Sequence, residues 1–152
     1  FLDKRTADQY HDILRDGVHW CTFQPAPNSR LVAHWDPLTW SAKTAQVMYD
    51  IIAKVERERG CKITGAFLNY YKDGTDHCPY HSDRYGRDTY TLSLKGPRDF
   101  LLKPNASGTK SEKFTLNSGD LYFMAQALHS THKHSVPKRA HAGSRISILF
   151  FL

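Results

Sequence analysis

The residues best suited to chemistry in this sequence are a histidine and an aspartate two apart, His81-Ser82-Asp83. On an extended backbone, residues i and i+2 point to the same side, so one imidazole nitrogen and one carboxylate oxygen can reach a common ion. A third ligand must come from elsewhere. His134, in Lys133-His134-Ser135-Val136-Pro137, is the strongest candidate. Two histidines and one carboxylate on one octahedral face leave three positions open, the arrangement of non-haem Fe(II) oxygenases, which must hold a cosubstrate and O2 together. His132 would share the face of His134 on a strand and is its main rival, with His129 a further alternative. A Cys78–His81–Asp83 zinc site is conceivable but lacks the paired cysteine spacing of such sites. An isolated H-x-D is equally well a surface histidine and a turn aspartate, so its surroundings decide.

Those surroundings read as two helices followed by many short strands. A first helix runs from a cap at Thr6, with Gln9 as its capping-box partner, to Gly17. Strand-like pieces follow at His19–Phe23 and Leu31–Trp35, separated by Pro25, Pro27 and Asn28. The span Ser41 to Arg59 is the clearest helix: Val47, Met48, Ile51, Ile52 and Val55 recur at three-to-four spacing, and Gly60 stands at its stop. From Cys61 onward the predicted strands are Ile63–Tyr71, Thr89–Leu94, Phe100–Lys103, Lys113–Leu116, Leu121–Met124, His132–Val136 and Arg145–Phe151, with turn residues between them. Short strands spaced by turns predict a sandwich or barrel, and helices ahead of them predict packing on one face of a β core. On the last strand Arg145, Ser147, Leu149 and Phe151 share one face, and Ile146, Ile148 and Phe150 the other. An arginine facing inward among apolar residues needs an anionic partner.

Composition sets the outer bounds. The 152 residues suit one domain, 1–152, with a real core, and 40% hydrophobic content argues against disorder. No apolar run approaches the roughly 18 residues that span a bilayer, so no membrane partner is expected. No signal-peptide pattern opens the chain; beginning at Phe1 without Met, it reads as a fragment. Cys21, Cys61 and Cys78 are odd in number and form no C-x-x-C, which fits a reducing compartment. The expected location is the nucleus or cytoplasm, and the expected state a monomer. A net charge of +6 and a pI near 9.3 suit an anionic partner such as nucleic acid.

From about Cys61 to the C-terminus the sequence resembles the AlkB family of Fe(II)- and 2-oxoglutarate-dependent dioxygenases. The resemblance lies in ordered stretches: Asn69 to Gly74, His81-Ser82-Asp83, Leu92-Ser93-Leu94 with Gly96 to Phe100, Gly119-Asp120-Leu121, His134 to Pro137, and Arg145-Ile146-Ser147 opening a final strand. It implies an α+β, mostly β fold with a double-stranded β-helix (jelly-roll) core and N-terminal helices on one face. It implies Fe(II) on His81, Asp83 and His134, with 2-oxoglutarate and O2 as cosubstrates. Arg145 would pair with the distal carboxylate of 2-oxoglutarate, whose shape its guanidinium fork fits, and Asn69, Tyr71 and Ser147 would complete that subsite. The implied reaction is oxidative demethylation of N-alkylated bases in single-stranded DNA or RNA, releasing formaldehyde, succinate and CO2.

The sequence departs from the family pattern in two places. Phe151 stands where a second arginine would support the cosubstrate carboxylates, and Lys138, Arg139 and Arg98 are candidate substitutes. Tyr85, between Arg84 and Gly86-Arg87, stands where family demethylases often carry an acid that reads the base. An aromatic there can stack on a base or cover a pocket for another substrate, which keeps a protein or small-molecule hydroxylase as the alternative. Tyr85, Arg84 and Trp35 are the expected substrate contacts, with Trp20, Phe23, His34 and Trp40 as further candidates for stacking a flipped base. Basic residues such as Lys72, Arg87, Lys103, Lys133 and Lys138 could line a phosphate track.

Overall fold

The helix caps show how closely side-chain chemistry fixes the elements. In the computed structural model, which describes residues 1–24 and 26–152, α1 (Lys4–Gly17) begins at Asp3. The Asp3 carboxylate accepts the Thr6 amide at 2.9 Å and the Thr6 hydroxyl at 2.7 Å. The cap predicted at Thr6 therefore lies about one turn late: a carboxylate at the positive end of the helix takes the capping role, and Thr6 becomes its donor. The second helix, α2 (Ala42–Arg59), is capped by Ser41 as its sequence predicts and stops at Gly60, whose amide returns to the Glu56 carbonyl at 2.9 Å. Gly60 has φ +63°, and nothing lies within 4 Å of where a Cβ would sit. Replacing Gly60 by Ala should therefore cost about 1 kcal/mol by backbone strain alone, read as a lowered denaturation midpoint with an unchanged slope.

Ten strands follow the chain: β1 (Cys21–Thr22), β2 (Leu31–His34), β3 (Gly65–Tyr71), β4 (Cys78–His81), β5 (Thr89–Lys95), β6 (Arg98–Pro104), β7 (Glu112–Leu116), β8 (Leu121–Met124), β9 (His132–Val136) and β10 (Arg145–Phe151). Antiparallel pairing gives a six-stranded sheet, β1-β2-β3-β10-β5-β8, and a four-stranded sheet, β4-β9-β6-β7. The predicted breaker Pro25 lies outside the described residues. A strand and a helix were not predicted. β4 carries Pro79, which lowers its strand signal but is tolerated because β4 is a sheet edge. The short helix α3 (Gln126–Thr131) has no side-chain cap to announce it.

β10 explains the layering. Its period-2 alternation sends Ile146, Ile148 and Phe150, all fully buried, into a core shared with Leu68, Leu92 and Leu94 and with Val47, Met48, Ile51 and Val55 of α2. The helices thus cover the outer face of the larger sheet. The opposite face of β10 looks toward the smaller sheet, where Tyr71, Cys78, Phe100, Leu116, Met124 and Val136 form a second core. The result is the expected mostly β jelly-roll with helices on one face. No helix among the described residues is long and apolar enough to cross a membrane.

Candidate active site

A cavity of about 250 Å³ opens between the two sheets, lined by the inward residues of β3, β4, β5, β9 and β10. His81 ends β4 and pairs directly across the ladder with His134 on β9, so their ring centroids lie 4.2 Å apart. Just beyond β4 the Ser82 hydroxyl donates to the His132 carbonyl at 2.7 Å. That bond holds the chain against β9 and carries Asp83 back toward the two rings. The Asp83 carboxylate meets Nε2 of His81 at 3.2 Å with one oxygen and Nε2 of His134 at 3.3 Å with the other. One ligand atom from each of the three residues lies within 4.8 Å of those of the other two. The Pro79 carbonyl lies 2.8 Å from Nδ1 of His81, which favours a proton on Nδ1 and leaves Nε2 as the metal-facing lone pair. The Phe100 ring stacks on His134 at 5.5 Å and fixes its plane.

The rivals for the third ligand are placed elsewhere. His132 contacts the Thr131 hydroxyl at 2.8 Å. His129 comes no nearer to Asp83 than 3.9 Å. Cys78 lies on the Nδ1 side of His81, at 3.5 Å, and outside the ligand cluster. Burial opposes charge on Asp83, yet donation from His134 and His81 outweighs it and holds the carboxyl well below its usual range. Burial likewise opposes charge on His81, but the Asp83 carboxylate and Cys78 outweigh it and hold the imidazolium up to about 10. A carboxylate set between two imidazole nitrogens suits a divalent cation, which binds such ligands in their deprotonated form.

Arg145 faces the same cavity and is 1% exposed. Its Nε donates to the Ser93 hydroxyl at 2.9 Å, and its guanidinium lies 5.3 Å from the centre of the Tyr71 ring. Nη1 is buried with no partner among the described residues. A buried guanidinium with an orphaned donor fits a carboxylate-bearing ligand. Tyr71 and Ser147 line the wall beside it as their strand faces predict, and Asn69 is the register partner of Ser147. Burial pushes the Tyr71 phenol well up, so at neutral pH it remains a donor.

The substrate side differs more from expectation. Tyr85 sits at the cavity mouth, 37% exposed, with its ring 4.8 Å from that of Phe151. Arg84 is exposed and borders a neighbouring depression with Asp83, Asp88 and His129. Trp35 is not at the cavity: it packs edge-on against Trp40 and Tyr49 at 4.9 and 5.5 Å, over α2. Its apolar ring is used to cover the helix, which corrects the expectation of a substrate contact. Trp20 is likewise committed to Tyr70, whereas Phe23 and His34 do line the cavity. The candidate substitutes for the missing arginine also face away. Arg98 is fully buried and donates to the carbonyls of Asp73, Asp76 and Pro137, Arg139 approaches Asp99, and Lys138 is exposed. The cation that lines the cavity beside Arg145 is Arg30, which sequence reasoning missed. It stands one residue before β2, and no motif in the sequence marks it.

The family model of the 2OG-Fe(II) oxygenase superfamily matches residues 5–150. The chain belongs to this superfamily. Its members are Fe(II)-dependent dioxygenases with 2-oxoglutarate and O2 as cosubstrates, and the donor set described above fits both the metal and the dicarboxylate. Among curated relatives, this oxygenase is 35% identical over 92 residues to the RNA replication protein of Grapevine virus A (isolate Is 151), covering 50% of this chain and 5% of that one. It is 26% identical over 137 residues to the alpha-ketoglutarate-dependent dioxygenase alkB homolog 3 of Rattus norvegicus, covering 82% of this chain and 41% of that one. The oxygenase thus spans well under two thirds of these relatives. The solved structure of OsALKBH1 has the same fold at a TM-score of 0.62 and 15% identity, covering 97% of this chain and 92% of that one. A Pseudomonas putida prolyl-4-hydroxylase matches at 0.63 and 12%, covering 99% and 88%.

Proposed function

We propose that this AlkB-like oxygenase is an oxidative demethylase of N-alkylated bases in single-stranded RNA or DNA, acting as a monomer in the nucleus or cytoplasm. In this reading His81, Asp83 and His134 hold Fe(II), and Arg145, Asn69, Tyr71 and Ser147 hold 2-oxoglutarate. When bound, the iron supplies activation of O2 coupled to decarboxylation of 2-oxoglutarate, giving oxidation of a substrate C–H bond. The remaining work belongs to side chains. Pro79 and Phe100 fix the two imidazole planes. Tyr71 donates from a neutral phenol, and the apolar wall of Phe67, Val136, Leu149 and Phe151 keeps water from the reacting carbon. Hydroxylation of an N-methyl carbon gives a hemiaminal whose C–N bond breaks, returning N–H and formaldehyde beside succinate and CO2.

The observation that carries the nucleic-acid reading is the exposed Tyr85 ring at the mouth, two residues beyond Asp83, with the exposed Arg84 and Arg87 on either side. A flat aromatic suits a flipped base and its flanking cations suit phosphates. The outer face of the smaller sheet adds support. Lys103 and Lys133 are direct cross-strand partners there beside exposed Tyr80, and neither pairs with an acid among the described residues. Like charges set opposite one another are unfavourable alone and suit a polyanion.

Formaldehyde release from N-methylated oligonucleotides, followed by mass spectrometry, tests this reading. Tyr85→Ala should raise the oligonucleotide KM about 5- to 100-fold, matching a stacking contribution of roughly 1–3 kcal/mol, while substrate-free turnover of 2-oxoglutarate stays near the parent rate. The likeness to a prolyl-4-hydroxylase supports a second reading, hydroxylation of a protein side chain. Hydroxylated peptide with no formaldehyde from any oligonucleotide selects it.

A further inference from the structure

The cavity is short of negative charge. Arg30 and Arg145 both line it, 7% and 1% exposed. Asp83 is the one acid in its wall among the described residues, and it is already engaged by His81 and His134. No carboxylate pairs with either arginine among the described residues. Two desolvated guanidinium groups in one small cavity repel each other and have lost their water, a cost that only an anionic occupant offsets.

Arg30 is also built into place. Its guanidinium stacks 4.1 Å from the centre of the Phe23 ring, and its Nη1 donates to the Ser29 hydroxyl at 3.3 Å. Its Nε donates to Oδ1 of Asn69 at 2.6 Å. That bond sets the orientation of the Asn69 amide, leaving its NH2 as the free donor end. Arg30 enters from the lead into β2, beside β3, whereas Arg145 enters from β10 on the other side of β3. The two cations therefore flank Asn69 and Tyr71.

We infer that Arg30 is the second cation for 2-oxoglutarate, taking over from a different strand the role that Phe151 has left vacant on β10. Arg145 and Arg30 together match the charge of a dicarboxylate, and Arg30 acts twice, as counter-charge and as the group that orients Asn69. This rests on the 2-oxoglutarate chemistry of the superfamily and is independent of the nucleic-acid reading.

The test is the affinity of Mn(II)-loaded protein for 2-oxoglutarate, measured calorimetrically without O2 and without turnover. Arg30→Met should weaken it about 10- to 100-fold, as for loss of one charge-assisted contact, with Mn(II) affinity unchanged. Arg30→Lys, which keeps the charge but not the fork, should fall in between, and Phe151→Arg placed in the Arg30→Met background should recover part of the loss. An affinity for 2-oxoglutarate within twofold of the parent in both Arg30→Met and Arg30→Lys overturns the inference. So does a loss confined to oligonucleotide binding, which would assign Arg30 to a substrate phosphate. Should Arg30→Met not fold, Arg30→Lys alone decides: a threefold or greater loss supports the role, and no loss ends it.

Discussion

Asp83→Ala should abolish metal binding and turnover together while leaving the fold intact. Asp83 lies beyond the end of β4, and its carboxylate bonds side chains only, those of His81 and His134. No backbone pairing depends on it. Its removal takes away the one carboxylate of the candidate metal set, leaving two imidazoles whose centroids lie 4.2 Å apart with nothing to offset a divalent charge. A ligand present at a thousand times its Kd stabilises the native state by about 4.1 kcal/mol. Melting curves with and without Mn(II) should show that increment in the parent and none in Asp83→Ala, at similar metal-free melting temperatures. An unchanged Mn(II) shift in the variant would mean that the metal sits elsewhere.

Arg145→Met should have effects of opposite sign on binding and on stability. Hydrogen bonds to charged groups contribute roughly 1.5–3 kcal/mol each. A two-pronged contact with a carboxylate therefore implies a loss of about 10²- to 10⁴-fold in 2-oxoglutarate affinity. The ligand-free protein should not suffer. Arg145 is fully buried, one of its nitrogens is orphaned, and its one hydrogen bond to a side chain is to Ser93. Methionine fills much of the same volume without the charge, and replacing an uncompensated buried cation by an apolar chain is neutral or stabilising. The ligand-free variant should melt at or above the parent temperature. A drop of several degrees would assign Arg145 a structural role instead.

Much of this site was legible because it depends on strand alternation, which sequence reports directly. The two faces of Arg145–Phe151 fall as read, one into the helix-covered core and one into the cavity. The H-x-D and the distal histidine converge because His81 and His134 are ladder partners. His134 ranked above His132 on the Ser135-Val136-Pro137 that follows it, although both lie on the same strand face, and the register pairs His134 with His81. What was not legible depends on which element lies next to which. Arg30 gains its role only because β2 pairs with β3 and brings the guanidinium to Asn69. Trp35 suits either a base-stacking lid or helix packing by its type alone, and Trp40 and Tyr49 place it in the packing over α2. The missed cap at Asp3 and the missed strand Cys78–His81 have local causes: two capping residue types three apart, and a proline in a strand that only a sheet edge tolerates.

In the proposed site, one cavity holds Fe(II) on His81, Asp83 and His134, with 2-oxoglutarate against Arg145. Anaerobic titration of the protein with Fe(II) and then 2-oxoglutarate tests it most directly. A weak visible metal-to-ligand band should grow with 2-oxoglutarate, be absent in Asp83→Ala, and require far more 2-oxoglutarate in Arg145→Met. A well-folded parent protein that shows no band, and forms no succinate when O2 is admitted, would rule out this site.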